Sequence, residues 1–429
     1  MNEQLFIRYG HEKLYFNVPD SWNIITLASF EDHTVINEIE EIVGNAVNEP
    51  VDAETLGDSL TSSDKVAILI EDNTRNSPKK HILRILLNHL ESLSISPGNI
   101  SIIVALGTHK PLSQEELEHT YGSDIVRRYS FSNHDCRAHD LVPIGKLESG
   151  TPVKINRLAY EADFRIGIGS IFPHPLNGFG GGGKILFPGV SNFDAILEHH
   201  LKYAFRDMTL GRLEKNSSYR ETSSMAVAGK LDFIINSVLD HNDNLYSIVA
   251  GNPITAHRTG AGICREIITK KINQQSDVTI ISAFPYTQAT QLMKPLEPAS
   301  IITKKSGVII LSGRCNSRFL PEYLDACRDF REKNKDNLRK ALLDCFDSNR
   351  RIIKDGAPEL NMSLAQVLLA IDSYRVILFS KEVPREDAEK LGFIHANTIE
   401  DAFVISEQYV KNPSVNIVPS GGVIIPELQ

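Results

Sequence analysis

Three apolar runs constrain this chain more than any other feature. Val66–Glu71 reads VAILIE, Asn99–Leu106 reads NISIIVAL and Asp163–Ser170 reads DFRIGIGS. Near-continuous apolar runs of this length are expected of strands buried on both faces, the pattern of a parallel sheet covered by helices. Each run stops at a polar loop: Asp72-Asn73-Thr74-Arg75, then Gly107-Thr108-His109-Lys110-Pro111, then Phe172-Pro173-His174-Pro175. An amphipathic helix is predicted after Pro78 to about Leu93, and Ser113 with Glu116 has the form of a capping box. Ligands of open parallel sheets bind at the carboxyl ends of strands, so the three loops are expected to meet at one crevice.

The chain has 429 residues, too many for one ordinary core, so two domains are expected. Asp277–Ala283, Gly307–Ser312 and Arg375–Phe379 read as strands of a second α/β unit, covered by the helix-rich stretch Pro321–Leu369. The predicted fold class is α/β: two α/β domains with mostly parallel sheets and the active site in the cleft between them. The boundaries expected are 1–270 for an N-terminal cofactor-binding domain and 271–405 for a C-terminal domain. The tail 406–429 is expected to return to the N-terminal domain. A strand pair (Gln4–Ile7, Lys13–Val18) should open the chain, and a helix from Ile254 to Ile272 should link the domains.

Composition narrows the function. A formal net charge of −9 argues against coating nucleic acid, which normally needs a basic face. The five cysteines are dispersed without a CxxC pair and read as reduced core thiols. No secretory signal is recognisable at the start, and no apolar run nears the roughly 20 residues of a membrane span. A cytoplasmic enzyme acting on a small molecule is expected, with no nucleic-acid or membrane partner.

Gly178 to Lys184 satisfies GxxxxGK, but Ile185 stands where a phosphate loop places a magnesium-binding hydroxyl. Consecutive glycines can still bring backbone close to a ligand and form an anion nest. Lys184 runs into Ile185-Leu186-Phe187, and a lysine among apolar neighbours has a lowered pKa and becomes a nucleophile. His174 lies between two prolines that stiffen its backbone, and His109 occupies an equivalent strand end. Two such histidines suit proton transfer from two directions. His199 and His200 point about 100° apart on one helix, so one is expected as a ligand and the other as its partner. No HExxH motif or zinc-type spacing is present. Asp72, Asn73, Thr74 and Arg75 combine polar side chains with a helix start, suited to a phosphate or carboxylate. Gln291 and Lys294 are three residues apart and should face the same way.

Together these segments resemble the nickel-pincer lactate racemase family: EDNTRNSP (71–78), ALGTHKP (105–111), FPHPLNGFGGGGKILFPGV with FDAILEHH (172–200) and QLMK (291–294). The resemblance implies a nickel(II) pyridinium-3,5-bisthiocarboxylic acid mononucleotide, covalent at Lys184 through a thioamide, with His200 completing the nickel coordination. It also implies that Asp72, Asn73, Thr74 and Arg75 hold the cofactor, Arg75 facing the substrate as well. His109 and His174 would be the acid/base pair, and Gln291 and Lys294 would bind the substrate. The implied reaction is racemisation or epimerisation of a 2-hydroxy acid by hydride transfer, with cofactor-biosynthesis enzymes needed for loading. The only tryptophan is Trp22, and the polar run Tyr286-Thr287-Gln288-Ala289-Thr290 suits a larger or hydroxylated acid, such as a sugar acid. Two other readings remain at this stage: a cofactor-binding or storage protein without turnover, and a lyase forming a Schiff base at Lys184.

Overall fold

A computed structural model describes residues 4–31, 38–75, 77–204 and 209–429. The chain forms two compact units, one of residues 38–267 and one that joins residues 4–31 to 268–429. Both are α/β with mostly parallel sheets, as the sequence predicts. No helix among the described residues is long and apolar enough to cross a membrane.

In the 38–267 unit six strands lie in the order Leu245–Gly251, Phe233–Leu239, Phe164–Ile171, Val66–Ile70, Ile100–Val104, Ser130–Asn133. All pair in parallel except the first, which pairs antiparallel with Phe233–Leu239. The chain starts at Val66–Ile70, builds outward through Ile100–Val104 and Ser130–Asn133, then returns to the other side of Val66–Ile70. The reversal leaves a switch point between Val66–Ile70 and Phe164–Ile171, where the crossover helices diverge and open a crevice. Two of the three predicted loops leave from these strands, and the third leaves from the neighbouring Ile100–Val104.

Every residue of Val66–Ile70 is buried. Alternation sends Ile68 and Ile70 to one face, against Ile82, Leu83, Leu86, Leu87 and Leu90 of the helix Lys79–Ser92. Ala67 and Leu69 face the other way, against Ile185, Leu186 and Phe187. The apolar residues after Lys184 therefore belong to the core, and they anchor the lysine from beneath. The antiparallel pair Phe233–Leu239 and Leu245–Gly251 was not among the predicted strands.

The second unit has the order Ile394–Ala396, Arg375–Phe379, Thr303–Ser312, Ser276–Ser282, Ser414–Val418, Asn23–Leu27, all parallel. Two expectations about its limits are corrected here. The tail does not return to the first unit, because Ser414–Val418 fills the open edge of Ser276–Ser282 and Ile425–Leu428 pairs with Thr269–Ile272. The first residues also belong to this unit: Asn23–Leu27 completes the sheet beside Ser414–Val418. The opening hairpin, Phe6–Tyr9 with Glu12–Tyr15, places Ile7 and Tyr9 in its core. The linking helix is shorter than predicted, Thr255–Ile268, and the residues after it form a strand.

Candidate active site

The loop after Val66–Ile70 is knit by its own side chains. Ser77 and Ser170 both donate to the Glu71 carboxylate, and Lys79 reaches back to the Arg75 carbonyl. Asp72 is buried, and its Oδ1 accepts from the Thr74 amide (3.0 Å) and hydroxyl (2.5 Å). Its Oδ2 lies 2.6 Å from Nδ1 of His109, which comes from the loop after Ile100–Val104. Burial by itself would raise the Asp72 carboxyl, but the hydrogen bond and charge of His109, with Thr74 adding, hold it well below the usual carboxylate range. An ionised acceptor at Nδ1 fixes that proton on Nδ1 and puts the lone pair of neutral His109 on Nε2. The Arg75 guanidinium stacks over the Phe172 ring, 4.2 Å from its centre, while Asn73 and Thr74 are exposed.

His174 is held the opposite way. Its Nδ1 accepts from the backbone amides of Leu176 (3.2 Å) and Asn177 (3.1 Å), so neutral His174 carries its proton on Nε2. That Nε2 lies 3.2 Å from Nζ of Lys184. Burial, with the charge of Arg75 adding, pushes the Lys184 amine down to about 7. A substantial fraction is then neutral at physiological pH, able to accept the His174 proton and to act as a nucleophile.

The glycine run, read above as an open backbone for a ligand, has a different reason in the structure. Gly181 and Gly182 have φ of +76° and +57°, and an added Cβ would come within 2.7 Å of Asn236 Oδ1 and 2.5 Å of the His257 ring. Amides of the run are also taken: Gly180 donates to Phe172 O, Gly182 to Asn236 Oδ1 (2.7 Å), and Lys184 to Gly181 O. The glycines let the chain fold tightly against its own protein and deliver Lys184 beside His174.

His199 and His200 have different hydrogen-bond partners. His200 gives its Nδ1–H to the Ile196 carbonyl (2.8 Å), which leaves the lone pair on Nε2. Burial, then the proximity of His199, Lys184 and His109, pushes it down to about 3, so it is a neutral imidazole near pH 7. His199 is buried with Nδ1 at 2.7 Å from Glu221 and Nε2 at 3.0 Å from the Ser218 hydroxyl. Glu221 and Ser218 were missed from sequence. Their one signal is a stripe, Ser218, Glu221, Thr222 and Met225, along the buried side of the helix Ser217–Ala228.

Asp72, Arg75, His109, His174, Lys184 and His200 are thus gathered around one strand-end crevice of the 38–267 unit. Gln291 and Lys294 belong to the second unit. There Gln291 opens a single 3-10 turn and Lys294 closes it, so the two share a face, and the Lys294 ammonium lies 4.2 Å from the centre of the Tyr286 ring. Among the described residues no group of three or more His, Cys, Asp or Glu is arranged to hold a metal.

Residues 9–210 match the family described as the lactate racemase N-terminal domain. The chain is 30% identical to a lactate racemase of Thermoanaerobacterium thermosaccharolyticum over 430 aligned residues, covering 98% of each protein. It is 31% identical to a lactate racemase of Lactiplantibacillus plantarum across 65% of this chain and 66% of that one. The structure of the lactate racemase apoprotein from T. thermosaccharolyticum superposes with a TM-score of 0.87 at 26% identity, covering 99% of this chain and all of that one. A Thermotoga maritima protein shares the fold alone, with a TM-score of 0.65 at 18% identity over 92% of this chain. The chain belongs to the lactate racemase family and is a racemase-type isomerase.

Proposed function

We propose that the chain inverts the α-carbon of a 2-hydroxy acid, at a site that carries a nickel-pincer nucleotide tethered to Lys184. The observation that carries this reading is the pair of histidines held in opposite tautomers at the ends of the two strands that flank Val66–Ile70, His174 lying 3.2 Å from a lysine that is partly neutral near pH 7. The residues fit the cofactor. Lys184 offers a nucleophilic amine, and His200 offers a neutral imidazole with its lone pair on Nε2. One imidazole does not make a metal site, so nickel at His200 would depend on donors from an organic group. When bound, that group supplies a hydride acceptor and donor for the substrate α-carbon.

The chain's own residues handle protons and position. His109 takes the hydroxyl proton of one enantiomer at Nε2, and the imidazolium that forms is stabilised by the Asp72 carboxylate, as in other carboxylate–histidine pairs. His174 offers its Nε2–H to the substrate oxygen. It serves the opposite enantiomer as base when its proton moves to Nδ1, which requires the Leu176 and Asn177 amides to let go. Asn73, Thr74 and Arg75 hold the nucleotide end of the cofactor, Arg75 reaching the substrate too, and Gln291 with Lys294 binds the substrate carboxylate or hydroxyl. The polar run from Tyr286 to Thr290 favours an acid longer than lactate, a sugar acid included.

The test is a panel of 2-hydroxy acids given to protein loaded by the cofactor-biosynthesis enzymes, in deuterated water, with products resolved by chiral chromatography. Inversion with little deuterium at the α-carbon is expected, because hydride returns without mixing with solvent. Full deuteration, or no inversion of any acid, sinks the proposal. A borohydride-trapped adduct of a keto acid on Lys184 would favour a Schiff-base lyase instead.

A further inference from the structure

One short helix start touches both halves of the site. Asn216, Ser217 and Ser218 open the helix Ser217–Ala228, and Asn216 and Ser218 are each only 1% exposed. Asn216 does two jobs with one amide. Its Oδ1 caps the helix by accepting from the Tyr219 amide (3.0 Å), and its Nδ2 donates to the carbonyls of Leu176 (3.2 Å) and Arg212 (3.0 Å). The Leu176 carbonyl belongs to the same peptide group as the Asn177 amide, which donates to Nδ1 of His174. A donor on the carbonyl side of a peptide polarises it and strengthens the bond made by its N–H. Asn216 therefore acts on the His174 imidazole through a single peptide plane.

Ser218, two residues on, acts on the other histidine pair. Its hydroxyl lies 3.0 Å from Nε2 of His199, whose Nδ1 faces Glu221 at 2.7 Å, and 3.4 Å from Asn177 Oδ1, a side-chain contact separate from the Asn177 amide that binds His174. Glu221 is fixed in turn by the Glu148 amide (3.0 Å) and Lys202 (3.5 Å). His199 precedes His200 on the helix Phe193–Tyr203, so the Ser218–His199–Glu221 chain pins the turn that aims the His200 Nε2. Each chain is closed by a contact remote in sequence: Asn216 to Leu176 spans 40 residues and Ser218 to His199 spans 19.

We propose that this helix start is a two-handed positioning element: Asn216 sets the tautomer of His174, and Ser218, through His199 and Glu221, sets the aim of His200. The inference rests on the roles given to His174 and His200 under the proposed function. Outer-shell partners of this kind fix ring orientation and basicity.

The two hands separate in experiment. The readouts are the side-chain 15N shifts of His174 in the apoprotein, and the nickel retained by loaded protein after gel filtration. Asn216→Ser keeps a preferred cap residue but removes the amide donor, and Asn216→Asp does the same with the original shape. Both should move His174 from a pure Nε2–H pattern toward a tautomer mixture and lower kcat, with nickel retained. Ser218→Ala should leave the His174 shifts in place and weaken nickel retention by about 10- to 100-fold. Ser218→Thr should restore it. The proposal fails if the His174 pattern is unchanged in both Asn216 variants, or if each substitution disturbs both readouts equally. A loaded His174→Ala protein that still inverts its substrate would overturn the proposed function instead, leaving the tautomer measurement intact.

Discussion

In the 38–267 unit the strands flanking the switch point are Val66–Ile70 and Phe164–Ile171, and the loops leaving them hold Asp72, Arg75, His174 and, beyond the turn, Lys184. In the second unit the flanking strands are Ser276–Ser282 and Ser414–Val418. Their loops are sewn together by main chain: Gly421 donates to Ser282 O (3.0 Å) and Gly422 to Phe284 O (2.9 Å), while the Ser282 hydroxyl serves Arg8 O and the Phe284 amide. A Cβ on Gly421 would meet the Ser282 carbonyl at 2.4 Å, so the loops approach as closely as backbone allows. Both sheets are wound the same way about a reversal. Topology offers a place for chemistry in each: the first gathers hydrogen-bonded carboxylate, imidazole and amine groups there, whereas in the second the cations Arg8 and Lys294 lie over the rings of Phe284 and Tyr286.

The largest effect that would sharpen this contrast is at Lys184. Lys184→Ala should abolish the mass gained on cofactor loading and all turnover, and a loaded, active variant would break the contrast outright. The pH dependence is testable in the apoprotein. With the amine down at about 7 against an ordinary 10.5, its rate of carbamoylation by cyanate should level off just above neutrality. A rate still climbing at pH 10 would show an ordinary lysine. The linkage has a definite sign: above pH 7 the unfolded chain holds a proton that the folded one lacks. This group therefore makes stability rise with pH between about 7 and 10.

Next in size are the two histidines. His109→Ala or His174→Ala should lower kcat by about 10²- to 10⁴-fold while nickel stays bound, as expected for lost acid–base groups. Asp72→Asn should act through His109, lowering its basicity and moving the acid limb of the pH–rate profile downward. An unmoved profile would separate Asp72 from the proton chemistry. In the second unit, Lys294→Ala should act mainly on KM, raising it about 10- to 100-fold if one charge-assisted bond to substrate is lost. A fall in kcat equal to that of the histidine variants would place chemistry in both units.

What the sequence makes legible follows the range over which each signal acts. The strands Val66–Ile70 and Ile100–Val104 are written as continuous apolar runs, and the Ser113–Glu116 capping box forms as spaced. Strand-end logic alone brings His109 and His174 to one crevice. The placement of Asn23–Leu27 is not legible, because its partner strand lies almost 400 residues away and its own burial is partial. The Asp72–His109 contact spans 37 residues and pairs two groups that were read separately, one as an anion grip and one as a base. Glycine spelled the shape of the lysine loop but not its cause. From sequence a glycine needed for packing against Asn236 and His257 reads the same as one needed for a ligand.

The smallest expected effect lies at a half-buried acid of the second unit, and its sign is opposite to that of Lys184. Glu297 sits in the helix Leu296–Ile302, one turn beyond Lys294, with Gln366 at 3.5 Å. Burial, only partly offset by Gln366, pushes its carboxyl up to about 8 from an ordinary 4.5. Between those values the unfolded chain ionises while the folded one keeps its proton, so stability falls as pH rises from 4.5 to 8 and then levels. Glu297→Gln keeps the shape and a hydrogen bond to Gln366 but cannot ionise. The variant should match the parent in thermal stability near pH 4.5 and exceed it at pH 8.5. An equal difference at both pH values would mean that Glu297 is ionised in the fold. The second unit would then hold an ionised carboxylate one turn beyond Lys294, and the contrast between a first unit built on an ionised Asp72 and a second that keeps its carboxyl protonated would no longer stand.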